Sequence, residues 1–236
     1  MADEDEPYAK IAHWYDEEFA AAGGDVAWYE RNVPSGRVAV LGCGTGRIAA
    51  ALARDREVVG LDLSPAMIAV ARERWPAMRW EVGDMRAFSL GTFDAIAIPN
   101  AAFSFLPTRA DQARCLACCA EALRPGGQLV VDVPMPVAGL LGTARSPEKP
   151  AWQGETVLRT REVRRWPVAQ RLELIDRYYE AGRPPVLSVL RLRILWPAEL
   201  EWMVEAAGLY VESLLGDYAG RPPQEDSPRL LAVVRR

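Results

Sequence analysis

Short apolar runs alternate with helical stretches through the middle of the chain. Residues 37–41, 58–62, 80–84, 93–98 and 128–133 are largely apolar, rich in β-branched side chains and bounded by Gly, Pro, Ser or Asp. That pattern predicts five short strands covered on both faces. Residues 48–53, 64–74 and 111–123 carry helical spacing between them. Ser64 and Pro65 open the second helix as N-cap and first-turn proline, and Arg124-Pro125-Gly126-Gly127 stops the third. Strands alternating with helices predict a parallel sheet wound by right-handed crossovers.

The rhythm changes after Pro134. Residues 136–154 hold several Gly and Pro and read as loop, whereas 155–166, 170–180 and 186–195 read as three successive strands without helices between them. In the last of these, Val186, Ser188, Leu190, Leu192 and Ile194 fall on one face, and Leu187, Val189, Arg191, Arg193 and Leu195 on the other. This predicts an antiparallel sheet with one face partly wet. A helix over 197–207, closed by Gly208, and strands near 210–214 and 229–234 finish the chain. Residues 7–34 read as two short helices joined at Gly23-Gly24. The expected fold is α/β: a doubly wound, mostly parallel, seven-stranded sheet carrying an inserted antiparallel sheet. The expected units are a helical segment over 1–36, a main unit over 37–135 and 197–236, and an insertion over 136–196.

Composition narrows the function classes. The 236 residues are 50% hydrophobic and 25% charged, which is ordinary for a globular chain and excludes disordered and collagen-like readings. A formal net charge of −4 lacks the basic excess of a nucleic-acid-binding surface, and the arginine run over 161–165 is short and interrupted. No apolar run reaches the roughly 18 residues of a membrane helix, and the acidic stretch over 1–6 has no signal-peptide pattern. Cys115, Cys118 and Cys119 sit at i, i+3 and i+4, the spacing of one helix face, so they read as small core residues. With His13 the only histidine, a zinc site lacks ligands, and no metal is expected. Reduced cysteines fit a cytoplasmic location.

The chemistry concentrates in the stretch Val38-Ala39-Val40-Leu41-Gly42-Cys43-Gly44-Thr45-Gly46-Arg47, a strand, a glycine turn and a helix start. Glycines there permit positive φ and close approach of a ligand, and the helix N-terminus beyond favours anionic groups. Asp62 ends the next strand, twenty positions after Gly42, where an acid accepts hydrogen bonds from a ribose or caps the following helix. Two cofactor classes share this layout. A dinucleotide site wants G-x-G-x-x-G, with its third glycine at position 47; that position is Arg47, and the third glycine is Gly46.

The run from Val38 to Ala53 resembles the first motif of class I S-adenosylmethionine-dependent methyltransferases, and Val59 to Met67 resembles their second. Gly83-Asp84-Met85 looks like the adenine-binding turn after the third strand. Phe93-Asp94 to Asn100 resembles the fourth-strand motif, and Leu123 to Gly127 the turn before the fifth. The likeness runs in order through 37–133. It implies a Rossmann-like methyltransferase core, an N-terminal lid and S-adenosylmethionine as cofactor. The backbone at Gly42, Cys43 and Gly44 would face the methionine part, with Gly46 allowing close approach. Asp62 would hold the ribose hydroxyls, Leu63 and Met67 would pack on the adenine, and Asp84 would accept from its amino group beside Met85. Asn100 would sit near the methionine part or the reacting methyl, and Tyr15 would reach the cofactor from the lid. Read on the residues alone, Met67 and Met85 equally suit a plain core, Asp84 a solvated turn, and Tyr15 helix packing.

The implied reaction is a direct displacement that moves a methyl group to nitrogen or oxygen of a small-molecule acceptor. An amine acceptor needs little acid–base help, whereas a hydroxyl profits from a general base, for which His13 is the candidate. The segment over 136–196 would cover the acceptor. Its Trp152, Trp166, Trp196, Arg159, Arg161, Arg164 and Arg165 suit an acceptor cap, a sheet with a solvated arginine face, or the face of a homodimer. Two other readings stay open: a module that binds S-adenosylmethionine without transferring its methyl, and an NAD(P)-dependent oxidoreductase.

Overall fold

A computed structural model describes residues 8, 10–20, 24–137, 141 and 143–236. Gly23, half of the expected joint between the first helices, lies outside the described residues. The elements run α1 (Ala12–Ala20), α2 (Asp25–Asn32), β1 (Arg37–Leu41), α3 (Arg47–Leu52), β2 (Glu57–Asp62), α4 (Pro65–Arg74), β3 (Arg79–Val82) and β4 (Phe93–Ile98). A 3₁₀ turn (Ala102–Phe105), α5 (Arg109–Ala122) and β5 (Leu123–Pro134) follow. Then come β6 (Arg145–Gln153), β7 (Val157–Trp166), β8 (Arg171–Glu180), β9 (Val186–Arg193), α6 (Pro197–Ala206), β10 (Tyr210–Leu215) and β11 (Arg229–Arg235).

Seven strands form one sheet in the order β10-β11-β5-β4-β1-β2-β3. Strands β1 to β5 pair in parallel, and β11 runs antiparallel to both β5 and β10. Alternation along the strands feeds two cores, as the period of two requires. Ala39 and Leu41 of β1 pack with Cys115, Leu116 and Cys119 of α5 and with Leu200, Met203 and Val204 of α6. Val38 and Val40 face the other way, onto Trp28 and Tyr29 of α2, Ile48 and Leu52 of α3, and Ile68 and Ala71 of α4. Buried Cys115 and Cys119 take the core positions that their spacing predicts, whereas Cys118 is only half-buried and donates to the Arg86 carbonyl. No described helix is long and apolar enough to cross a membrane.

Local signals explain most element ends. Ser64 caps α4 by accepting from the Met67 amide at 3.1 Å. Thr108 caps α5 by accepting from the Asp111 amide at 3.0 Å, so this helix starts two residues earlier than its apolar spacing suggests. The expected stop at 124–127 is a bulge. Pairing jumps from Phe93–Leu123 to Ala95–Gln128, and Gly126 has φ +77°.

The second sheet has four antiparallel strands, β6-β7-β8-β9, not three. Residues 145–153, expected as loop, form β6. Pro147 and Pro150 interrupt its ladder, with register shifts between Ser146/Lys149 and Pro150/Trp152. Prolines are tolerated because β6 is an edge strand with no partner on its outer side among the described residues. Helix α1 joins the two sheets. Asp16 accepts from the Thr45 hydroxyl beyond β1 and pairs with Arg74 of α4. On the other side, Trp14 stacks on Tyr178 of β8 at 5.3 Å and 8°, and Glu18 pairs with Arg159 of β7.

Candidate functional site

The strand order reverses between β1 and β4, and a cavity of about 990 Å³ opens beyond the carboxyl ends of the parallel strands. Ligand sites of doubly wound sheets form at this kind of crevice. Ten of the twelve residues singled out from the sequence line it: Tyr15, Gly42, Cys43, Gly44, Asp62, Leu63, Met67, Asp84, Met85 and Asn100.

The loop after β1 is shaped by backbone that only glycine adopts without strain. Gly42 has φ +67°, and a Cβ there would stand 2.4 Å from the Ala102 Cβ, so β1 and the turn after β4 close upon each other. The Gly44 amide donates to Asp62 Oδ2 at 2.7 Å, and the Ser64 amide to Asp62 Oδ1 at 2.9 Å. One carboxylate at the end of β2 thereby ties the glycine loop to the start of α4. Leu63 beside it is 67% exposed although large and apolar, which leaves a hydrophobic wall available to a ligand ring.

Beyond β3, Asp84 accepts from the Arg86 amide at 2.8 Å and from its guanidinium at 2.6–3.0 Å. These bonds hold the Asp84 carboxyl below the usual range, so it stays ionised. Arg86 also reaches Asp111 at 2.7 Å. The cysteine and the phenols of the lining are held neutral. Burial, reinforced by the charge of Asp62, pushes the Cys43 thiol and the Tyr15 phenol well up, and burial pushes up Tyr8. Arg47 forks onto Asp25 at 2.9 and 2.5 Å. Burial alone would raise the Asp25 pKa, but the bonds to Arg47 outweigh it and keep Asp25 low.

Two expected residues lie outside the lining. His13 is exposed: it sits two positions from Tyr15 on α1, about 200° around the helix, and so points away from the cavity that Tyr15 enters. Gly46 has φ +91°, but the group that approaches it is protein: a Cβ would meet the Trp80 ring at 2.5 Å. Gly46 is therefore required by the start of α3 and by Trp80.

The insertion contributes differently from the sequence expectation. Arg159, Arg161, Arg164 and Arg165 bond to Glu18, Asp176, Glu162 and Ser146, and none lines the cavity. The cavity wall comes instead from the loop before β9 and from its edge, Pro184 to Val189 with Arg191, facing Phe105, Leu106 and Tyr8. The Pro184-Pro185 pair, just ahead of β9 and an exposed Leu187, was the available signal in the sequence.

Comparison with known proteins identifies the family. Residues 38–127 match the family model of a methyltransferase domain. A trans-aconitate 2-methyltransferase of Deinococcus radiodurans is 46% identical over 105 residues, 43% of this chain and 39% of that protein. The match to a dTDP-3-amino-3,4,6-trideoxy-α-D-glucopyranose N,N-dimethyltransferase of Streptomyces venezuelae is 30% identical over 86% of this chain and 89% of that one. Among solved structures, the CcbJ methyltransferase of Streptomyces caelestis superposes with a TM-score of 0.88 at 26% identity, over 99% of this chain and 98% of that one. The resemblance spans both sheets and the helix between them, and the chain belongs to the class I S-adenosylmethionine-dependent methyltransferases, with S-adenosylmethionine as its methyl donor.

Proposed function

We propose that the chain methylates an amine nitrogen of a small molecule, without a side-chain base. The carrying observation is what lines the cavity. Among the described residues it has no histidine and no glutamate, and its two carboxylates are engaged: Asp62 by backbone amides and Asp84 by Arg86. The lining phenols and Cys43 are held protonated by burial. A neutral amine carries its own lone pair and loses its proton only after the methyl has arrived, so it asks for position and not for a base.

Three of the four cations of the lining, all but Lys10, also favour this reading over a polyanionic acceptor. Arg47 is paired with Asp25, Arg86 with Asp84 and Asp111, and Arg191 with Glu173. The Streptomyces venezuelae relative is by its name an N,N-dimethyltransferase of an amino sugar, which supports nitrogen as the accepting atom.

The residues present fit the cofactor. The glycine loop offers backbone amides, Asp62 a carboxylate for ribose hydroxyls, and Leu63 with Met67 and Met85 an apolar bed for adenine. Asp84, kept ionised and fixed by Arg86, would accept from the adenine amino group. Asn100 and Arg47 would receive the amino-acid end. When bound, S-adenosylmethionine supplies a methyl on a sulfonium and a good leaving group. The side chains do the rest by alignment: Tyr15 of α1 and Tyr8 ahead of it close the cavity, and Phe105, Leu106 and Val186 give the acceptor an apolar seat. The test offers small amines, phenols and carboxylates with S-adenosylmethionine carrying a labelled methyl. The label is expected on nitrogen; label on a phenol or carboxylate oxygen would overturn the reading.

A further inference from the structure

Asn100 and Ala101 follow β4 with φ +50° and +68°. Asparagine visits the left-handed region readily, but alanine seldom does, and two successive non-glycine residues there persist only where the surroundings hold them. One residue of the neighbouring strand does so twice. The Asp132 carbonyl accepts from the Ala101 amide at 2.9 Å, and Asp132 Oδ2 accepts from the Asn100 amide at 3.2 Å. Asp132 is fully buried and does not line the cavity, whereas Asn100 does.

The Asp132 carboxylate is itself fixed from three further sides. Oδ2 accepts from the Tyr218 hydroxyl at 2.7 Å and from the Tyr29 hydroxyl at 3.2 Å, and Oδ1 from Arg229 Nη1 at 2.5 Å. A buried acid costs much unless paired and hydrogen-bonded, and this one is both. Its grip continues outward. Asn100 Nδ2 donates to Asp25 Oδ2 at 3.4 Å, and Asp25 forks Arg47. The Tyr218 hydroxyl stands 3.2 Å from Asn100 Oδ1.

We infer that Asp132 is a positioning residue: by clamping the left-handed turn at Asn100 and Ala101 it sets the part of the cavity that receives the amino-acid end of S-adenosylmethionine. The inference rests on the reading above that Asn100 and Arg47 take that end. In the sequence Asp132 is an acid inside an otherwise apolar strand run, with no motif around it.

Calorimetry with two ligands tests this. S-adenosylmethionine carries the amino-acid end; methylthioadenosine keeps the adenosine and lacks it. Asp132→Asn keeps the shape and removes the charge. It is expected to weaken S-adenosylmethionine by about tenfold, the effect of a lost charge-assisted hydrogen bond, and to leave methylthioadenosine within about twofold. Asn100→Ala should show the same selectivity. The double variant should be no weaker than Asn100→Ala alone to within about twofold, because one residue acts through the other. If Asp132→Asn does not fold, Tyr218→Phe carries the test, with an expected selective loss of about threefold. Equal weakening of both ligands would reduce Asp132 to a structural role and overturn the inference. A selective loss in Asn100→Ala with none in the Asp132 or Tyr218 variants would overturn the inference alone. No effect of Asn100→Ala would overturn both the placement of Asn100 and the inference, while leaving amine methylation standing.

Discussion

Tyr15 and His13 lie on the same short helix, two residues apart, and that offset separates their roles. Tyr15 enters the cavity and His13 faces outward, although in sequence the lone histidine beside Trp14 and Tyr15 reads as a base. His13→Ala should therefore leave turnover unchanged once an acceptor is in hand. The pH–rate profile of both proteins should rise with pH as the acceptor's ammonium loses its proton, then level off. A titration that the His13 variant abolishes would contradict this. Residues whose type is dictated by backbone or by strand-end position were legible: Gly42, Gly44, Asp62, Asp84 and Asn100 all reach one cavity. Pairings were not. Arg47 in sequence only breaks a dinucleotide pattern, and its bond to Asp25, 22 positions away, exists only in the fold. Gly46 was legible as a glycine, but the Trp80 ring packed against it arrives from β3, outside the motif.

Helix α1 is held by side chains more than by its own strength. Its nine residues are too few to be stable alone. Its contacts divide between the sheets: Asp16 to Thr45 and Arg74 on one side, Trp14 and Glu18 to Tyr178 and Arg159 on the other. Trp14 is only 8% exposed, and truncating a buried tryptophan costs about 3–5 kcal/mol. For Trp14→Ala we expect this loss to appear as local opening: faster hydrogen exchange in α1, with β1 to β5 protected as before. Uniformly faster exchange would show that α1 belongs to the cooperative core. Strands β7 to β9 were legible because none is broken by Gly or Pro, and β9 also alternates. Strand β6 was not, since Pro147 and Pro150 carry a loop signal that only an edge position overrides.

At the scale of the molecule, the strand and helix rhythm implied the doubly wound sheet, and that sheet puts the glycine loop, Asp62, Asp84 and Asn100 at the ends of four different strands. The wall opposite them was not legible. It depends on how the second sheet is carried over the first, which brings Pro184 to Val189 to the cavity and turns the arginine-rich strand β7 toward partners of its own. The account stands on this cavity being the cofactor site, with Asp62 at its centre. The most direct measurement is calorimetry of S-adenosylmethionine with the natural chain and with Asp62→Ala. We expect micromolar binding to the first and a loss of at least about tenfold in the second, as for removal of a charged hydrogen-bond acceptor. Equal affinity in both would contradict the placement of the cofactor in this cavity.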